Sequence, residues 1–430
     1  MWRLSYRMFH AVSTASFWFE RRLTRAGMLV AGSAILAGAL GIDTTLSVAY
    51  QAFAFLAALV AVAALCLPVL RVPVAVEREL PRIASAGQPF TYRARISNRG
   101  AAAMDGLTLI EELPDPRPTL AAFRAAVRFP TYRAWKRLVA ANELARVPEH
   151  SVPPLAPGAT VEIEVRAEAL KRGIVHSSGM TVGRAEPLGL LKALAHSERR
   201  ANVVILPRRY ALPALDLPGA RRFQQGGVAL ASSVGDSEEF MGLRDYRPGD
   251  PLQRIHWKSF ARAAKPVVKD FQDEYFERHA LVLDSFAGPG AARAFEEAVS
   301  IAASFAYTIE TRECLLDLVF VGAQAYSYTA GRGQLSAGSL LEILAGVQPC
   351  LDRPFSLLQE AVLAKRQALS GCICVLLAWD EPRQELVRHL EALGTPTRVF
   401  VVGEPGALER VPPHVHRLEV GRIGEGLARL

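Results

Sequence analysis

EFMGLRDYRPGDPLQRIHWKSFAR, Glu239 to Arg262, is the densest stretch of chemistry in this 430-residue chain, and the fold can be read outward from it. Arg244 to Lys269 holds seven Lys or Arg against Asp245 and Asp250, a local charge of +5. Pro248-Gly249-Asp250 signals a turn, because Pro presets φ and Gly tolerates a positive one. Arg254, Lys258 and Arg262 recur every four residues and share one face if the stretch is helical. Arg244, Tyr246, Asp250, Arg254, Trp257, Lys258 and Arg262 therefore form a candidate partner- or anion-binding set. Guanidinium forks suit a phosphate, a carboxylate or an acidic surface, and Trp257 offers a stacking plate. An internal role is equally consistent: Arg244, Asp245, Asp250 and Arg254 can pair among themselves and lock the preceding β region onto the next domain.

Downstream, residues 276–430 read as an α/β domain. Apolar strands are predicted at His279 to Asp284, Leu315 to Val321, Cys372 to Ala378 and Arg398 to Val402. They alternate with helical patterns in which Phe295, Val299, Ala302, Phe305 and Ile309 recur, followed by Ser356 to Leu369 and Pro382 to Leu393. That alternation predicts a doubly wound sheet with its ligand edge at the strand C-termini. Upstream, residues 211–275 read as a linker carrying the basic motif, and residues 72–210 as a β-rich, sandwich-like region. Phe90, Tyr92, Ala94 and Ile96 alternate with polar residues, as do Val161, Ile163 and Val165 after Pro157-Gly158. Leu120 to Val147 interrupts that pattern with a basic, aromatic helical insertion, read either as a surface for anionic headgroups or as a solvated insertion packed by Trp135 and Leu138.

Residues 1–71 read as a basic N-terminus and a transmembrane hairpin. Ala26 to Ile42 and Leu46 to Leu70 carry no charge, and each is long enough to span about 30 Å of hydrocarbon, the first only just. Arg21, Arg22 and Arg25 precede the first stretch and Arg71 follows the second, while the turn carries only Asp43. The positive-inside bias then puts both chain ends, and the bulk of the protein, in the cytoplasm. Composition agrees: half the residues are hydrophobic, 21% are charged and mean hydropathy is +0.16, which excludes a disordered chain. The net charge of +8 owes +4 to residues 1–25, which argues for a membrane flank more than for nucleic acid. Cys66, Cys314, Cys350, Cys372 and Cys374 form no C-x-x-C pair, and Cys372 and Cys374 share one face of a strand as core.

The segment from Leu243 to Arg262 resembles the signature of the domain-of-unknown-function 58 family, matching its L-R-x-Y-x-P-G-D-x-x-R-x-I-x-W-K-x-x-A-R pattern at every specified position except Gln253, which stands where the pattern has Arg and is followed by Arg254. Arg172-Gly173 and Glu186-Pro187-Leu188-Gly189-Leu190 resemble further family landmarks, with Glu186 standing where Asp is more usual. The resemblance implies an α+β multidomain chain with a two-helix transmembrane hairpin, a β-rich region and a C-terminal von Willebrand factor A-like domain. The first strand of such a domain normally ends in D-x-S-x-S, which holds a divalent cation. Here Asp284 is followed by Ser285, Phe286, Ala287 and Gly288, so both required hydroxyls are lost; Asp380 matches another acidic position, but one or two carboxylates make a poor hard-cation site.

No metal and no cofactor is therefore expected. The sequence holds no G-x-x-x-x-G-K-[ST], H-E-x-x-H or G-x-S-x-G, and Gly331-Arg332-Gly333 lacks the third Gly of a dinucleotide loop. The leading expectation is a non-enzymatic scaffold or adaptor in the bacterial inner membrane. By resemblance its partners are a MoxR-type AAA+ ATPase, other von Willebrand factor A-like membrane proteins and membrane lipid, with no nucleic acid. The alternative is an envelope-associated enzyme with an unrecognised site, around Asp250 and His256.

Overall fold

The computed structural model describes residues 2–41, 47–213, 239–250, 252–263, 265–272, 277–288, 290–309, 314–331, 335–366 and 368–429. Asp43 in the expected hairpin turn, residues 214–238 of the expected linker and the Arg332-Gly333 pair lie outside the described residues. The chain divides into two compact units, Met1–Pro207 and Arg208–Leu430.

The first unit opens with three helices, α1 (Trp2–Arg22), α2 (Arg25–Leu40) and α3 (Ser47–Cys66). Within α3, Val48–Cys66 is long and apolar enough to cross a membrane by length and composition. Helix α2 is apolar but has 16 residues, which at about 1.5 Å each fall short of the roughly 30 Å hydrocarbon layer. The two pack together through Val30, Ala31, Leu59 and Ala63. Phe53 lies so close to Gly38 that a Cβ there would meet its ring at 3.1 Å. Thr24 starts α2 as a cap, its hydroxyl accepting the Gly27 N–H at 2.9 Å.

Strands β1 (Val74–Glu79), β2 (Ile83–Ser85), β3 (Pro89–Asn98) and β4 (Leu107–Glu112) follow, then helices α4 (Leu120–Ala126) and α5 (Tyr132–Asn142). Strands β5 (Ala145–Arg146), β6 (His150–Val152), β7 (Thr160–Ala169), β8 (Gly173–Ala185) and β9 (Lys192–Leu206) complete the unit. They form a four-stranded sheet in the order β1-β3-β7-β5 and a five-stranded one in the order β2-β9-β8-β4-β6. The alternation is why the sheets stack: Tyr92, Ala94 and Ile96 are buried while Thr91, Arg93 and Arg95 face out. The inward set shares one core with Leu107, Leu109, Met180 and Val182 of the other sheet. The helical insertion buries Phe123 and Trp135 completely, against Phe9 and the partly buried Trp2 and Tyr6 of α1. Expected only as a basic tail, the N-terminus is thus a helix that supplies half of the insertion's core.

Glu186 to Leu190 forms the turn between β8 and β9. The buried Glu186 carboxylate accepts the N–H groups of Leu188 (2.5 Å) and Leu190 (2.6 Å), and Gly189 takes a φ of +71°. This turn seats on the start of α2: Thr24 donates its N–H to the Leu190 carbonyl at 3.0 Å and its hydroxyl to that of Gly189 at 2.5 Å. Gly27 is required by the contact, since a Cβ there would lie 2.0 Å from the Leu190 oxygen.

The second unit carries a two-stranded hairpin, β10 (Glu239–Asp245) with β11 (Val267–Gln272), bridged by α6 (Trp257–Ala263). Strand β12 (Glu277–Leu283), α7 (Ala292–Thr308), β13 (Cys314–Val321), β14 (Ala325–Ala330), α8 (Ala337–Gly346) and α9 (Ser356–Leu363) come next. The chain ends with β15 (Gly371–Leu376), α10 (Glu381–Ala392), β16 (Thr397–Gly403), α11 (Pro405–Leu408), β17 (His416–Glu419) and α12 (Ile423–Leu427). The sheet order is β14-β13-β12-β15-β16-β17, parallel except for β14, which runs antiparallel to β13. Strand residues alternate between two helical layers. Val282, Val319, Cys374 and Val401 pack with Leu358 and Val362 of α9 and Leu386 and Leu390 of α10, whereas Phe400 meets Phe305 of α7 at 5.1 Å between ring centroids. Cys372 and Cys374 are both fully buried with their sulfurs 3.6 Å apart; the Cys374 contact and burial push the Cys372 thiol well above its usual range, so it is core.

Candidate functional site

The basic motif is built on the β10–β11 hairpin, where Arg244 lies across from Val268. Arg244 grips Asp250 with a two-pronged fork, Nη1 to Oδ2 at 2.7 Å and Nη2 to Oδ1 at 2.8 Å. Asp250 Oδ2 also accepts the Arg247 N–H at 2.8 Å, across a turn whose Gly249 adopts a φ of +109°. The Arg244 guanidinium, helped by that N–H, holds the Asp250 carboxyl down to about 2. Tyr246 is tied in by its N–H, which donates to the Pro266 carbonyl at 3.0 Å.

The expected single face of Arg254, Lys258 and Arg262 does not form. His256 donates its N–H to the Val267 carbonyl at 2.8 Å and Ile255 bridges Val268, so the chain is held extended there and α6 begins only at Trp257. Arg254 sits in the preceding 3₁₀ turn (Leu252–Arg254), leaving Lys258 and Arg262 as the exposed cations of α6. His256 is itself engaged, its Nδ1 lying 2.7 Å from the Ser259 hydroxyl. Beside these cations lie outward-facing apolar groups: Leu252 is 67% and Trp257 64% exposed, and Phe260 meets the Trp257 ring edge-on at 6.0 Å. The seven-residue set therefore divides by role. Arg244 and Asp250 clamp the hairpin; Trp257, Lys258 and Arg262 stand outward on it.

A second arrangement lies where β12 and β15 end, the edge at which doubly wound sheets place their ligands. Asp284 is wholly buried and accepts the N–H groups of Phe286 and Leu377, each at 2.9 Å. Arg383 of α10 reaches back to it, Nε to Oδ2 at 2.6 Å, and donates Nη1 to Asp380 Oδ2 at 2.6 Å. The guanidinium also lies over the Phe355 ring at 4.9 Å. One arginine thus bridges Asp284 and Asp380, the two carboxylates that the resemblance aligned with acidic positions, and its positive charge answers theirs. Sequence reasoning missed Arg383 because only tertiary folding brings it, 99 positions away, to Asp284. Among the described residues, no group of three or more His, Cys, Asp or Glu is placed to hold a metal ion.

These features coincide with what is similar elsewhere. A family model described as "Protein of unknown function DUF58" matches residues 242–403, from the hairpin to the end of β16. The Bacillus subtilis (strain 168) protein named "Uncharacterized protein YeaD" is 25% identical over 178 residues, 40% of this chain and 42% of its own length. The match thus spans less than half of that relative. Among solved structures, the CARDB domain of PF1109 from Pyrococcus furiosus matches 31% of this chain and 94% of its own at 10% identity, with a TM-score of 0.18. Salmonella alpha-2-macroglobulin reacted with methylamine matches 40% of this chain and 9% of its own at 15% identity, with a TM-score of 0.18.

Proposed function

We propose that this chain is a membrane-anchored, non-enzymatic adaptor that presents its basic hairpin to an acidic protein partner, a MoxR-type AAA+ ATPase. In this reading α2 and α3 both enter the inner membrane, with both chain ends cytoplasmic, and residues 276–430 act as a von Willebrand factor A-like module without a metal. Other proteins of that module type are further partners. The carrying observation is the exposed Trp257, on the same short segment as exposed Leu252, Lys258 and Arg262, at the start of a helix that the pairing of Ile255 and His256 with β11 ties to the hairpin. Interfaces draw most of their energy from such an aromatic anchor ringed by polar groups, and a pre-held loop loses little entropy on docking.

The test is a titration of purified ATPase against the full-length chain in lipid nanodiscs. A saturable complex is expected. Trp257→Ala should weaken it by about 2 kcal/mol, some thirtyfold, and Lys258→Glu by roughly tenfold, more at low salt than at high. Unaltered affinity in both variants would remove this surface from the adaptor reading, and catalysis by the chain without the ATPase would overturn the reading itself.

A further inference from the structure

Helix α1 has two apolar faces, of which the unit uses one. Trp2, Tyr6 and Phe9 pack on Phe123 and Trp135, and on the same side the Ser13 hydroxyl accepts the Trp135 indole N–H at 2.7 Å. On the opposite side Leu4, Met8, Val12 and Phe19 recur four or seven positions apart, hence along one stripe, which Trp18 widens. All five are exposed, from 48% for Val12 to 75% for Leu4. The exposed Arg3 and Arg7 flank the stripe at its edge, and the next helix begins with exposed Arg25.

We propose that α1 lies flat in the headgroup layer of an anionic bilayer, its outer stripe among the upper acyl carbons and its arginines on the lipid phosphates. Three features single out a lipid surface from other occupants. The stripe is too interrupted to span: α1 carries Arg3, Arg7, Glu20, Arg21 and Arg22, and a helix this charged that still gathers its apolar side chains on one outer face has the pattern of interfacial helices. The charge beside it is positive, complementary to anionic headgroups. And α1 runs through Leu23 and Thr24 straight into α2, whose partner α3 is the chain's candidate membrane span, so the stripe starts where the bilayer surface must be if α3 is inserted. The insertion α4–α5 is then the buttress that holds α1 down, which explains why a β-sandwich interrupts itself to bury one tryptophan and one phenylalanine against an N-terminal helix.

This placement rests on α3 being an anchor, and the two ideas fail separately. Full-length chain with Cys66→Ser and Met8→Cys, labelled with an environment-sensitive fluorophore, is reconstituted into phosphatidylglycerol–phosphatidylcholine vesicles; the other four cysteines are buried. A matched label at Glu385→Cys, on the outer side of α10, serves as the aqueous reference. Position 8 should be quenched several-fold less by iodide than position 385, and more by lipids brominated near the headgroup than by lipids brominated near the chain ends. That protection should weaken in phosphatidylcholine alone. Equal iodide quenching at the two positions in a chain that resists alkaline carbonate extraction would refute the α1 placement and leave the anchor standing. Iodide protection with no bromine quenching would assign the stripe to a second copy of the chain and equally refute it, while a chain that carbonate strips away overturns both.

Discussion

Arg383→Met removes the guanidinium that bridges Asp284 and Asp380 while keeping a long apolar stem against Phe355. Asp284 is 0% exposed, so its charge is left without a counter-ion in a dry site. Taking away one member of a buried pair costs roughly 3–5 kcal/mol. The carboxylate still keeps two backbone donors, from Phe286 and Leu377, which puts the expected loss at the low end, about 3 kcal/mol. In native-state hydrogen exchange that is on the order of a hundredfold loss of protection for the amides of β12 and β15, which flank Asp284. Exchange of the full-length chain in nanodiscs reads this locally, without requiring that both units unfold together. Adding Asp284→Asn to Arg383→Met should return much of the protection, because no buried charge then remains. A loss of less than about 1 kcal/mol for Arg383→Met alone, or a double variant worse than the sum of the singles, would refute the claim that this arginine serves as the site's cation.

Three further outcomes follow from other contacts. The Asp250 carboxyl should titrate near 2 by NMR, and Arg244→Met should move it back toward its usual 3.8. Since the folded value is the lower one, the clamp is fully present above about 4 and is lost as pH falls from there through about 2, so hairpin amides should lose protection over that window and not above it. Gly27→Val places a Cβ against the Leu190 oxygen and should cost roughly 1–3 kcal/mol, read as faster exchange at Leu190 and Leu191 with unit two unchanged. Trp135→Ala empties the core shared by the insertion and α1 and should cost about 3–5 kcal/mol, with α1 itself becoming protease-sensitive.

How much was legible depended on whether the signal was periodic. Strands such as β3 and β7 alternate in the sequence because one face is wet, and the structure buries Tyr92, Ala94, Ile96 and Val165 accordingly. The apolar runs of β12, β13, β15 and β16 are continuous because helices cover both faces, and their parallel direction follows from the strand–helix alternation, whereas the order in which they lie side by side was not legible. The antiparallel β14 escaped notice: Tyr326 and Tyr328 lie on an edge, half-exposed, where the pattern of a buried strand is absent. Helix α1 was legible in principle, for its apolar residues keep helical spacing on two sides, but a two-sided pattern around four arginines reads as a basic tail. In the motif, the turn at Pro248-Gly249-Asp250 was plain. The fork from Arg244 to Asp250 was one of two open readings, and the four-residue spacing misled because backbone pairing of Ile255 and His256 with β11 outweighs the local helical preference.

The disposition of charge across both units bears on what the chain can do. In the sandwich, Arg78 and Glu111 are each 2% exposed and 2.5 Å apart, and Glu111 also accepts from Ser177 at 2.5 Å and Tyr92 at 2.8 Å. Even so, burial pushes the Glu111 carboxyl above its usual range, and burial together with Glu111 pushes the Tyr92 phenol up as well. In the second unit the fully buried Asp317 is saturated by Arg278, Thr329 and Lys365, much as Asp284 is by Arg383 and two amides. A carboxylate whose lone pairs are already taken by fixed donors is poorly placed to accept a substrate proton or to bind a cation, so these pairs hold the folds together. The basic groups that remain outward, on α1, on the α4–α5 insertion and on α6, are surrounded by exposed aromatic and aliphatic side chains. Cations beside exposed Trp, Phe and Leu give these three surfaces the mixed apolar and basic composition that acidic surfaces and anionic headgroups complement.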